Sequence, residues 1–246
     1  MEVIVCISKS PDTTARIAFT DQNTKYDEQG VQFIMNPFDE FYALVRGVEL
    51  QEKEGAHLTF LNVGPASNDI IIRKALAIGG NKAVRIDTEP KSAWDVAKQI
   101  AAYLKDKSFD LVLFGKETID YNGSEVGAMV AGILDQPFVS NASKLEYENG
   151  QFLLNRDIEG GIEKVRVAAP CIISAAKGMA EQRIPNMRGI MMAKSKPLEV
   201  VPAVASEDLV ELVSYSLPAE KSGVKLVDPE NMEELVRLLS EEAKVI

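Results

Sequence analysis

The sequence predicts an α/β fold, built on an open, mostly parallel, Rossmann-like sheet with flanking helices. The first observation is that short, uninterrupted apolar runs alternate with amphipathic segments up to about residue 200. The second is that these runs lack polar alternation, which is typical of strands covered on both faces by helices. The third is that the last third of the chain breaks this order, which predicts a hairpin and an extended C-terminal arm ending in a helix.

Four apolar runs predict the parallel strands, because each is short, aliphatic and bounded by turn residues or helices. These runs are residues 2–8, 57–63, 82–87 and 110–114. Four other segments place apolar residues at helical spacing with charges on the opposite side. These predicted helices cover residues 38–54, from Ser67 or Asn68 as N-cap to about Ile78, 92–107, and about Ser124 to Leu134.

Turn residues divide the last third of the chain. Asn149-Gly150 and Gly160-Gly161 predict a hairpin over residues 143–167, and residues 170–176 read as another buried strand. Four prolines over residues 197–230 favour an extended arm rather than a helix.

A C-terminal helix is predicted over residues 229–243, where leucines recur at helical spacing. From Glu207 to Ile246 the chain has ten acidic and four basic residues, so this part alone contributes a charge of −6. We therefore predict two units, an α/β domain over residues 1–200 and a C-terminal arm with its helix over residues 201–246.

The residue counts exclude several classes of chemistry. One His and two Cys, Cys6 and Cys171, are too few for a His/Cys metal site, a disulfide framework or an iron–sulfur cluster. A net charge of −10, from 27 Lys and Arg against 37 Asp and Glu, argues against a broad nucleic-acid-binding face. We predict no catalytic residue, no metal site and no nucleic-acid partner.

The N-terminus reads as a strand and not as a signal peptide, because its apolar run is short and no basic region precedes it. No apolar stretch approaches the roughly 18–20 residues that a membrane-spanning helix needs. A cytoplasmic location, with both cysteines reduced, is therefore expected.

The most informative segment is GKETIDYNGSEVG, residues 115–127, which follows a buried strand and opens a helix. In open parallel sheets, ligands bind beyond the carboxyl ends of the strands. Gly123 and Ser124 would let a phosphate approach the first helical N–H groups, where the helix dipole favours an anion. Because the segment is neither a Walker A loop nor a GxGxxG fingerprint, an ordinary strand-to-helix turn with an Asx or Ser cap remains the alternative.

Two further positions have ordinary structural interpretations. Asn36 followed by Pro37 is typical of a helix N-terminus, with the Asn as cap and the Pro in the first turn. Cys6, within the first strand, is expected to be a small buried hydrophobe rather than a reactive thiol. His57 is expected to be structural or on the surface.

Residues 183–196, RIPNMRGIMMAKSK, combine four basic residues with three methionines and contain no acid. Clustered methionines make adaptable apolar contacts, and basic residues around them would steer an acidic partner. The segment is interpreted either as a partner-docking loop or as a connecting loop with core methionines.

Taken together, these segments resemble the β subunit of electron transfer flavoproteins, in the same order along almost the whole chain. The resemblance rests on the first strand with SKSPDT, on GVQFIMNPFDE, and on GKETIDYNGSEVG as a nucleotide loop. It also rests on RDIEGGIEKVRVAAPCI around the double glycine and on RIPNMRGIMMAKSKPLEV as a recognition loop.

The resemblance implies an electron carrier subunit and not an enzyme. Such a β subunit pairs with an α subunit, which makes most contacts to a redox-active FAD, and usually binds AMP as a structural nucleotide. The heterodimer accepts electrons from acyl-CoA dehydrogenases of fatty acid oxidation and other flavin dehydrogenases, and passes them to a membrane quinone oxidoreductase. The arm over residues 201–246 would then pack on the partner subunit.

The resemblance also implies site residues. The backbone at Cys6 and Val63 would face the adenine, Asp120 would lie near the ribose, and Phe38 would approach the flavin. The implied cofactor-binding set is Cys6, Asn36, Pro37, Phe38, Asp39, Val63, Gly115, Lys116, Glu117, Thr118, Ile119, Asp120, Tyr121, Asn122, Gly123, Ser124, Glu125 and Val126. The implied partner-docking set, in which Met187 matches the apolar anchor, is Arg183, Met187, Arg188, Ile190, Met191 and Lys194.

Departures at the nucleotide site and two alternatives accompany this resemblance. Family members often have Lys at the place of Ser8 and Gln at the place of Glu125. The run SPDT at residues 10–13 is similar to an electron-bifurcating branch, in which the β-subunit site holds a second FAD and oxidises NADH. That enzymatic branch is one alternative, and a stand-alone ATP-binding α/β module is the other.

Overall fold

The computed structural model describes residues 1–207, 209–220 and 223–246. Three residues of the predicted C-terminal arm, Asp208, Lys221 and Ser222, lie outside the described residues. The described strands are β1 (Glu2–Cys6), β2 (Lys9–Pro11), β3 (Phe19–Thr20), β4 (Lys25–Tyr26), β5 (Phe33–Met35), β6 (His57–Gly64), β7 (Lys82–Asp87), β8 (Leu111–Gly115), β9 (Phe138–Glu148), β10 (Gln151–Ile158), β11 (Gly161–Ala168), β12 (Cys171–Ala175) and β13 (Leu198–Pro202). The described α-helices are α1 (Asp39–Glu54), α2 (Asp69–Ile78), α3 (Ala93–Leu104), α4 (Val126–Leu134), α5 (Met187–Ala193) and α6 (Met232–Arg237).

The predicted α/β fold is confirmed by one large sheet, which has nine strands in the described residues. Its strand order is β11-β10-β9-β12-β8-β1-β6-β7-β13. β1 lies between β6 and β8 and runs parallel to both, so that Val3 pairs with Leu58 on one side and Leu111 on the other. The sheet is parallel from β9 through β12 to β13, and antiparallel where β9, β10 and β11 follow one another.

Alternate residues of the central strands enter two apolar cores, one on each face of the sheet. Val3 and Val5 of β1 point to the face covered by α1 and α2. Ile4 and Cys6 point to the opposite face, which α3 and α4 cover. This two-sided burial explains why the strands read as continuous apolar runs. No helix among the described residues is long and apolar enough to cross a membrane.

The predicted hairpin is part of a longer antiparallel unit. Both predicted turns are present, and Asn149, Gly150 and Gly160 all have positive φ, which asparagine and glycine tolerate best. They join β9, β10 and β11, so the unit has three strands. β9 also begins five residues before the predicted start at residue 143, because its first half pairs with β12 rather than with the hairpin.

The start of the predicted arm is a strand of the main sheet, which corrects the expectation of an extended arm from residue 197. β13 pairs in parallel with β7, with Leu198 opposite Ala83 and Pro202 opposite Asp87. The partner strand lies more than a hundred residues earlier, so no local pattern announces the pairing. The C-terminal helix is shorter than predicted, since α6 gives way to a π-helical segment over Leu238–Glu242.

The start of α2 matches its prediction in position but not in its hydrogen bonding, and residues 9–35 contain strands that were not predicted. Asn68, one of the two predicted residues, occupies the N-cap position of α2 at the end of a 3-10 turn over Ala66–Asn68. Its side chain makes no cap hydrogen bond to the helix and donates to Asn62 Oδ1 at 3.1 Å instead. Residues 9–35 contain two short antiparallel pairs, β2 with β5 and β3 with β4, which the sequence did not predict. Strands of two or three residues are too short to leave a periodic signal.

Candidate nucleotide site and docking helix

The order of the central strands creates a crevice at the carboxyl ends of β1 and β8. From β1 the chain moves outward to β6 and β7, then returns to the other side of β1 to form β8. This reversal is a topological switch point, where open α/β sheets bind their ligands. The loops that follow β1 and β8 hold Ser8 and the segment from Lys116 to Glu125, so the predicted nucleotide loop lies at this crevice.

The two strand residues of the predicted site are buried in the sheet. Cys6 ends β1 and is 6% exposed, and Val63 lies near the end of β6. Burial first, and then the negative charge of Glu40, raise the pKa of the Cys6 thiol well above its usual value. The thiol therefore stays protonated, and the expectation that Cys6 is a buried hydrophobe is confirmed.

Asn36, which follows β5, hydrogen-bonds to the loop after β1 and to the loop after β8. Its side chain is fully buried; Oδ1 accepts the N–H of Ile119 at 3.2 Å, and Nδ2 lies 3.3 Å from Ser8 Oγ and 3.4 Å from Asp120 Oδ1. Its own N–H bonds to the carbonyl of Ser8 at 2.9 Å. The interpretation of Asn36 as an N-cap is wrong, because Phe38 occupies that place and makes no side-chain cap hydrogen bond to α1. The amide is instead engaged by the loops after β1 and β8.

Phe38 has an unusual backbone and an exposed ring. Its φ is 61° and its ψ is −110°, a conformation that a bulky residue rarely adopts, and its side chain is 56% exposed. Backbone strain of this kind persists only where the surrounding structure enforces it. Here Phe38 lies between Asn36, which its hydrogen bonds hold in place, and the first residue of α1. A cavity of about 300 Å³ adjoins the ring and is lined by Pro37, Phe38, Asp39, Tyr42, Lys116, Glu117, Thr118, Ile119, Asn122 and Lys177.

The loop after β8 combines a close backbone approach with one local ion pair. A Cβ on Gly115 would lie 2.5 Å from the backbone nitrogen of Glu40, so only glycine lets α1 start this close to β8. Lys116 Nζ contacts Glu117 Oε1 at 3.0 Å, and Ser124 Oγ donates to Glu117 Oε2 at 3.2 Å. These contacts with Lys116 and Ser124 lower the pKa of Glu117 below its usual value, so the carboxylate is charged and neutralised within the loop.

The start of α4 is open to an anion. Asn122 and Ser124 have φ values of 51° and 53°, so two residues of the loop adopt the left-handed conformation just before the helix. Glu125 occupies the N-cap position but makes no side-chain cap hydrogen bond to the helix that begins at Val126. Uncapped first-turn N–H groups with a positive helix dipole are suited to a phosphate. Tyr121 and Gly123 are exposed at the tip of the same loop.

Glu40 is the residue of this site that the sequence analysis missed. It is 8% exposed, and its carboxyl oxygens contact the backbone N–H of Ser8 at 2.6 Å and Ser8 Oγ at 2.8 Å. Burial is the main reason that the pKa of this carboxyl rises to about 8. Helical spacing could have found it, since Glu40 lies four and eight residues before the buried Leu44 and Val48.

The segment interpreted as a docking loop contains a short helix, α5, fixed against α2. Asn186 Oδ1 accepts the N–H of Gly189 at 2.8 Å and caps the helix. A Cβ on Gly189 would lie 2.2 Å from the carbonyl oxygen of Ala77, which shows how closely α5 approaches α2. Arg73 of α2 donates to the carbonyls of Ala193 and Lys196 at 2.8 and 2.6 Å.

Two basic residues of this segment are bound to other groups of the chain, and two are exposed. Arg183 forms an ion pair with Glu52 at 2.8 Å, and Lys196 donates to the carbonyls at the end of α2. Arg188 and Lys194 are exposed. Burial lowers the pKa of Lys196, in keeping with a structural rather than a surface position.

An apolar patch faces outward on and beside α5. Its members are 42–90% exposed: Ile184, Met187, Ile190, Met191 and Met192. The alternative interpretation of these methionines as core residues is therefore wrong for Met187, which is 74% exposed. A group of exposed apolar side chains on a rigid support is typical of a protein-binding surface.

Comparison with known proteins adds evidence that is independent of this geometry. A family model described as Electron transfer flavoprotein domain matches residues 23–206. The chain is 34% identical to electron transfer flavoprotein subunit beta of Bacillus subtilis (strain 168), with all of both chains covered. It is 32% identical to the protein of the same name from Syntrophomonas wolfei, over 93% of this chain and 90% of that one. Its identity to the Homo sapiens protein of that name is 31%, over 100% and 99% of the two chains.

Proposed function

The chain belongs to the electron transfer flavoprotein family, and from this membership we propose that it is the β subunit of a heterodimeric electron carrier. Its α partner would hold most of an FAD, whose flavin carries the electrons. The heterodimer would accept electrons from flavin dehydrogenases such as acyl-CoA dehydrogenases and deliver them to a membrane quinone oxidoreductase. The observation that carries the proposal is that the segment resembling the family's nucleotide loop lies at the topological switch point of the sheet.

AMP is the nucleotide that we place in this crevice. The uncapped start of α4 and the left-handed residues Asn122 and Ser124 favour a phosphate there. Glu117 adds no free negative charge, since Lys116 and Ser124 already contact its carboxylate. AMP supplies no redox chemistry, so its role would be to join the loops after β1, β5 and β8.

Phe38 is proposed to approach the flavin of the α subunit. Its exposed ring and strained backbone support this role, because strain at an exposed aromatic residue is a feature of ligand-binding positions. Asp39 follows it at the start of α1 and lines the same cavity as Lys116. The protein would thus supply position and shielding, while the electron chemistry belongs to the cofactor.

The bound nucleotides of the purified heterodimer test this function. The complex should be coexpressed with its α partner, purified, acid-extracted and analysed by chromatography with absorbance detection. One FAD and one AMP per heterodimer are expected. Two FAD and no AMP would instead identify the electron-bifurcating type, and failure to form any complex with the α subunit would favour a stand-alone nucleotide-binding module.

The exposed patch on α5 is proposed as the dehydrogenase-docking surface, with Arg183, Met187, Arg188, Ile190, Met191 and Lys194 as its residues. Met187 is the proposed anchor, because it is 74% exposed at the start of a helix held rigidly against α2. A rigid support reduces the entropy lost on docking. Since Arg183 is paired with Glu52, Arg188 and Lys194 would provide most of the steering charge.

Replacing Met187 with alanine is expected to reduce kcat/KM for electron transfer from a partner dehydrogenase by roughly 30-fold. A buried apolar anchor contributes about 2 kcal/mol to an interface, and each 1.4 kcal/mol corresponds to about a factor of ten. The flavin content should not change, because the side chain points to solvent in the isolated subunit. Stopped-flow reduction of the flavin by the dehydrogenase measures the effect.

Ile133→Ala is the matched control for this prediction. Ile133 is also exposed, at 41%, but it lies on α4 rather than on α5. Its loss should leave dehydrogenase kinetics as in the wild type. Equal kinetics for Met187→Ala and the wild type would contradict the assignment of the docking surface.

A further inference from the structure

Glu40 contacts Ser8 through two hydrogen bonds, in which no Lys or Arg side chain of the described residues takes part. Glu40 Oε2 accepts the backbone N–H of Ser8 at 2.6 Å, and Oε1 lies 2.8 Å from Ser8 Oγ. Gly115, at the end of β8, lies against the backbone at the start of α1. This close approach fixes the position of Glu40 in the first turn of the helix. Both oxygens of Glu40 are therefore directed to one residue at the carboxyl end of β1.

The charged groups that face this carboxyl from the packed elements are mostly acidic. Asp39 lies beside it on α1, Asp120 faces it from the loop after β8, and Cys6 on β1 is a neutral thiol. The nearest cation of that loop, Lys116, is engaged by Glu117. Burial, Asp120 and Asp39 raise the pKa of Glu40 to about 8, against the opposing effect of the hydrogen bonds from Ser8. A pKa of about 8 favours the protonated carboxyl at neutral pH.

The position of that proton follows from the hydrogen bonds. Oε2 already accepts an N–H, so the proton of the neutral carboxyl would lie on Oε1 and be donated to Ser8 Oγ, the reverse of the bond in which Ser8 Oγ donates to Oε1. Asn36 donates to the same Ser8 oxygen from Nδ2, because its Oδ1 is occupied by the N–H of Ile119. A hydroxyl oxygen has two acceptor positions and one hydrogen. With both acceptor positions filled, the hydroxyl hydrogen of Ser8 is left to bond to an acceptor outside this network.

Ionised Glu40 reverses this arrangement. Its Oε1 then carries no proton and accepts the hydroxyl hydrogen of Ser8 instead. Ser8 is half-buried, at the point where the carboxyl end of β1 opens to the crevice. Loss of one proton from Glu40 would therefore withdraw a hydrogen-bond donor from the crevice and add a negative charge beside it.

We propose that Glu40 is a proton-carrying positioning residue, whose neutral carboxyl turns the Ser8 hydroxyl outward to donate to the bound nucleotide and whose ionisation weakens nucleotide binding. The inference rests on the proposed AMP site and adds a regulatory property to it. The acceptor on AMP is a phosphate oxygen or a ring nitrogen, both of which carry lone pairs. Binding above the titration range of Glu40 takes up one proton from water, which is retained on Oε1 of the carboxyl.

The test measures AMP affinity of the full-length heterodimer, freed of its nucleotide, by titration calorimetry at pH 7, 8 and 9. A phosphate monoester completes its second ionisation near pH 6, so AMP is a dianion at about pH 7 and above and contributes little to the change. The dissociation constant of the wild type should rise roughly tenfold between pH 7 and pH 9. Proton uptake, obtained from titrations in two buffers of different ionisation enthalpy, should approach one proton per AMP at pH 9.

Three variants separate the roles of the residues. Glu40→Gln cannot ionise and keeps a donor toward Ser8 Oγ, so the ratio of its dissociation constants at pH 9 and pH 7 should be close to one. Ser8→Ala lacks the hydroxyl, so it should bind AMP on the order of tenfold more weakly at pH 7 and keep only the smaller pH dependence that the negative charge of ionised Glu40 causes. Glu54→Gln, an exposed acid at the other end of α1, should keep the wild-type ratio.

A measurement without ligand checks the proton itself. Unfolded Glu40 ionises near its usual pKa of 4.5, and the folded residue near 8. Between these values unfolding releases a proton, so wild-type stability falls as pH rises. The melting temperature of Glu40→Gln relative to the wild type should therefore increase from pH 5 to pH 8, which a constant difference would contradict.

The outcomes distinguish this inference from the proposed function. AMP binding that is independent of pH in the wild type would overturn the role of Glu40 and leave the AMP site standing. No binding of AMP at any pH would overturn both. A pH dependence that persists in Glu40→Gln would assign it to another group and would also overturn the inference.

Discussion

Replacing Gly115 with alanine is expected to destabilise the chain by about 3 kcal/mol and to empty the nucleotide crevice. The added Cβ would lie 2.5 Å from the backbone nitrogen of Glu40 and 2.9 Å from the carbonyl carbon of Asp39. These are backbone atoms of α1, so the clash is relieved only if the start of the helix moves. Overpacking of this kind costs about 3 kcal/mol at its upper range.

Movement of α1 explains why the crevice would be lost as well. Glu40 would be withdrawn from Ser8, and the turn through Asn36 would shift with it. For a chain of this length, about 3 kcal/mol corresponds to a fall in melting temperature of roughly 6–12 °C. Differential scanning calorimetry measures the stability, and nucleotide extraction from the purified heterodimer measures the occupancy.

Gly132→Ala is the matched control for this substitution. Gly132 lies on the exposed side of α4, and a Cβ there meets no atom within 4 Å. Alanine in an exposed helix interior should raise stability by about 0.5–1 kcal/mol. A Gly115→Ala heterodimer that melts with the wild type and retains its AMP would contradict the proposed coupling between β8, α1 and the crevice.

Ending the chain after Ser206 is expected to abolish heterodimer formation while the main sheet still folds. The cut preserves β13 and the two hydrogen bonds that Val204 makes with Gln99, so the edge of the sheet stays closed. The removed arm carries aliphatic side chains that are 53–90% exposed in the isolated chain: Leu209, Val210, Leu212, Val213, Leu217, Val224 and Leu226. Such residues become buried when a partner covers them.

The arm contacts its own chain too sparsely to hide this surface. Tyr215 stacks on Phe19 with ring centroids 4.8 Å apart and donates its N–H to the carbonyl of Asn23 at 2.7 Å. The short helix α6 has no buried residue of its own, and a helix of this length is unstable without tertiary packing. The proposed partner surface for the arm is therefore the α subunit.

Gel filtration of the two subunits after coexpression measures the effect of the truncation, and circular dichroism shows whether the shortened chain is folded. In the full-length chain, Leu226→Ser should weaken the complex, because Leu226 is 90% exposed without a partner. Ser214→Ala, on the same arm, serves as the control and should assemble normally. An intact heterodimer with the truncated, folded chain would show that the arm is not needed for assembly.

The sequence predicted most of the sheet because burial on two faces leaves a local signature. β7 begins and ends where its apolar run does, and Gly79-Gly80 ends α2 as expected. The loop after β8 was recognised because a glycine-containing turn between a strand and a helix is also a local pattern. The domain boundary at residue 200 and the individual AMP contacts stay predictions.

The elements that the sequence missed depend on distant partners. β13 forms because it pairs with β7, and β9 starts early because its first residues pair with β12. α5 was interpreted as a loop, although Asn186 caps it and α2 supports it. In each case the stabilising contact comes from a residue or strand that a local pattern does not include.

The sequence by itself determined the alternation of strands and helices, the absence of histidine and cysteine clusters, and the order of motifs that marks the family. Only the tertiary structure decided that Asn36 binds loops instead of capping a helix, that Arg183 is paired with Glu52, and that Glu40 is a buried acid. The physical reason is that periodicity reports which face of an element is buried. The charge and hydrogen bonding of a side chain depend instead on which residues from elsewhere in the chain surround it.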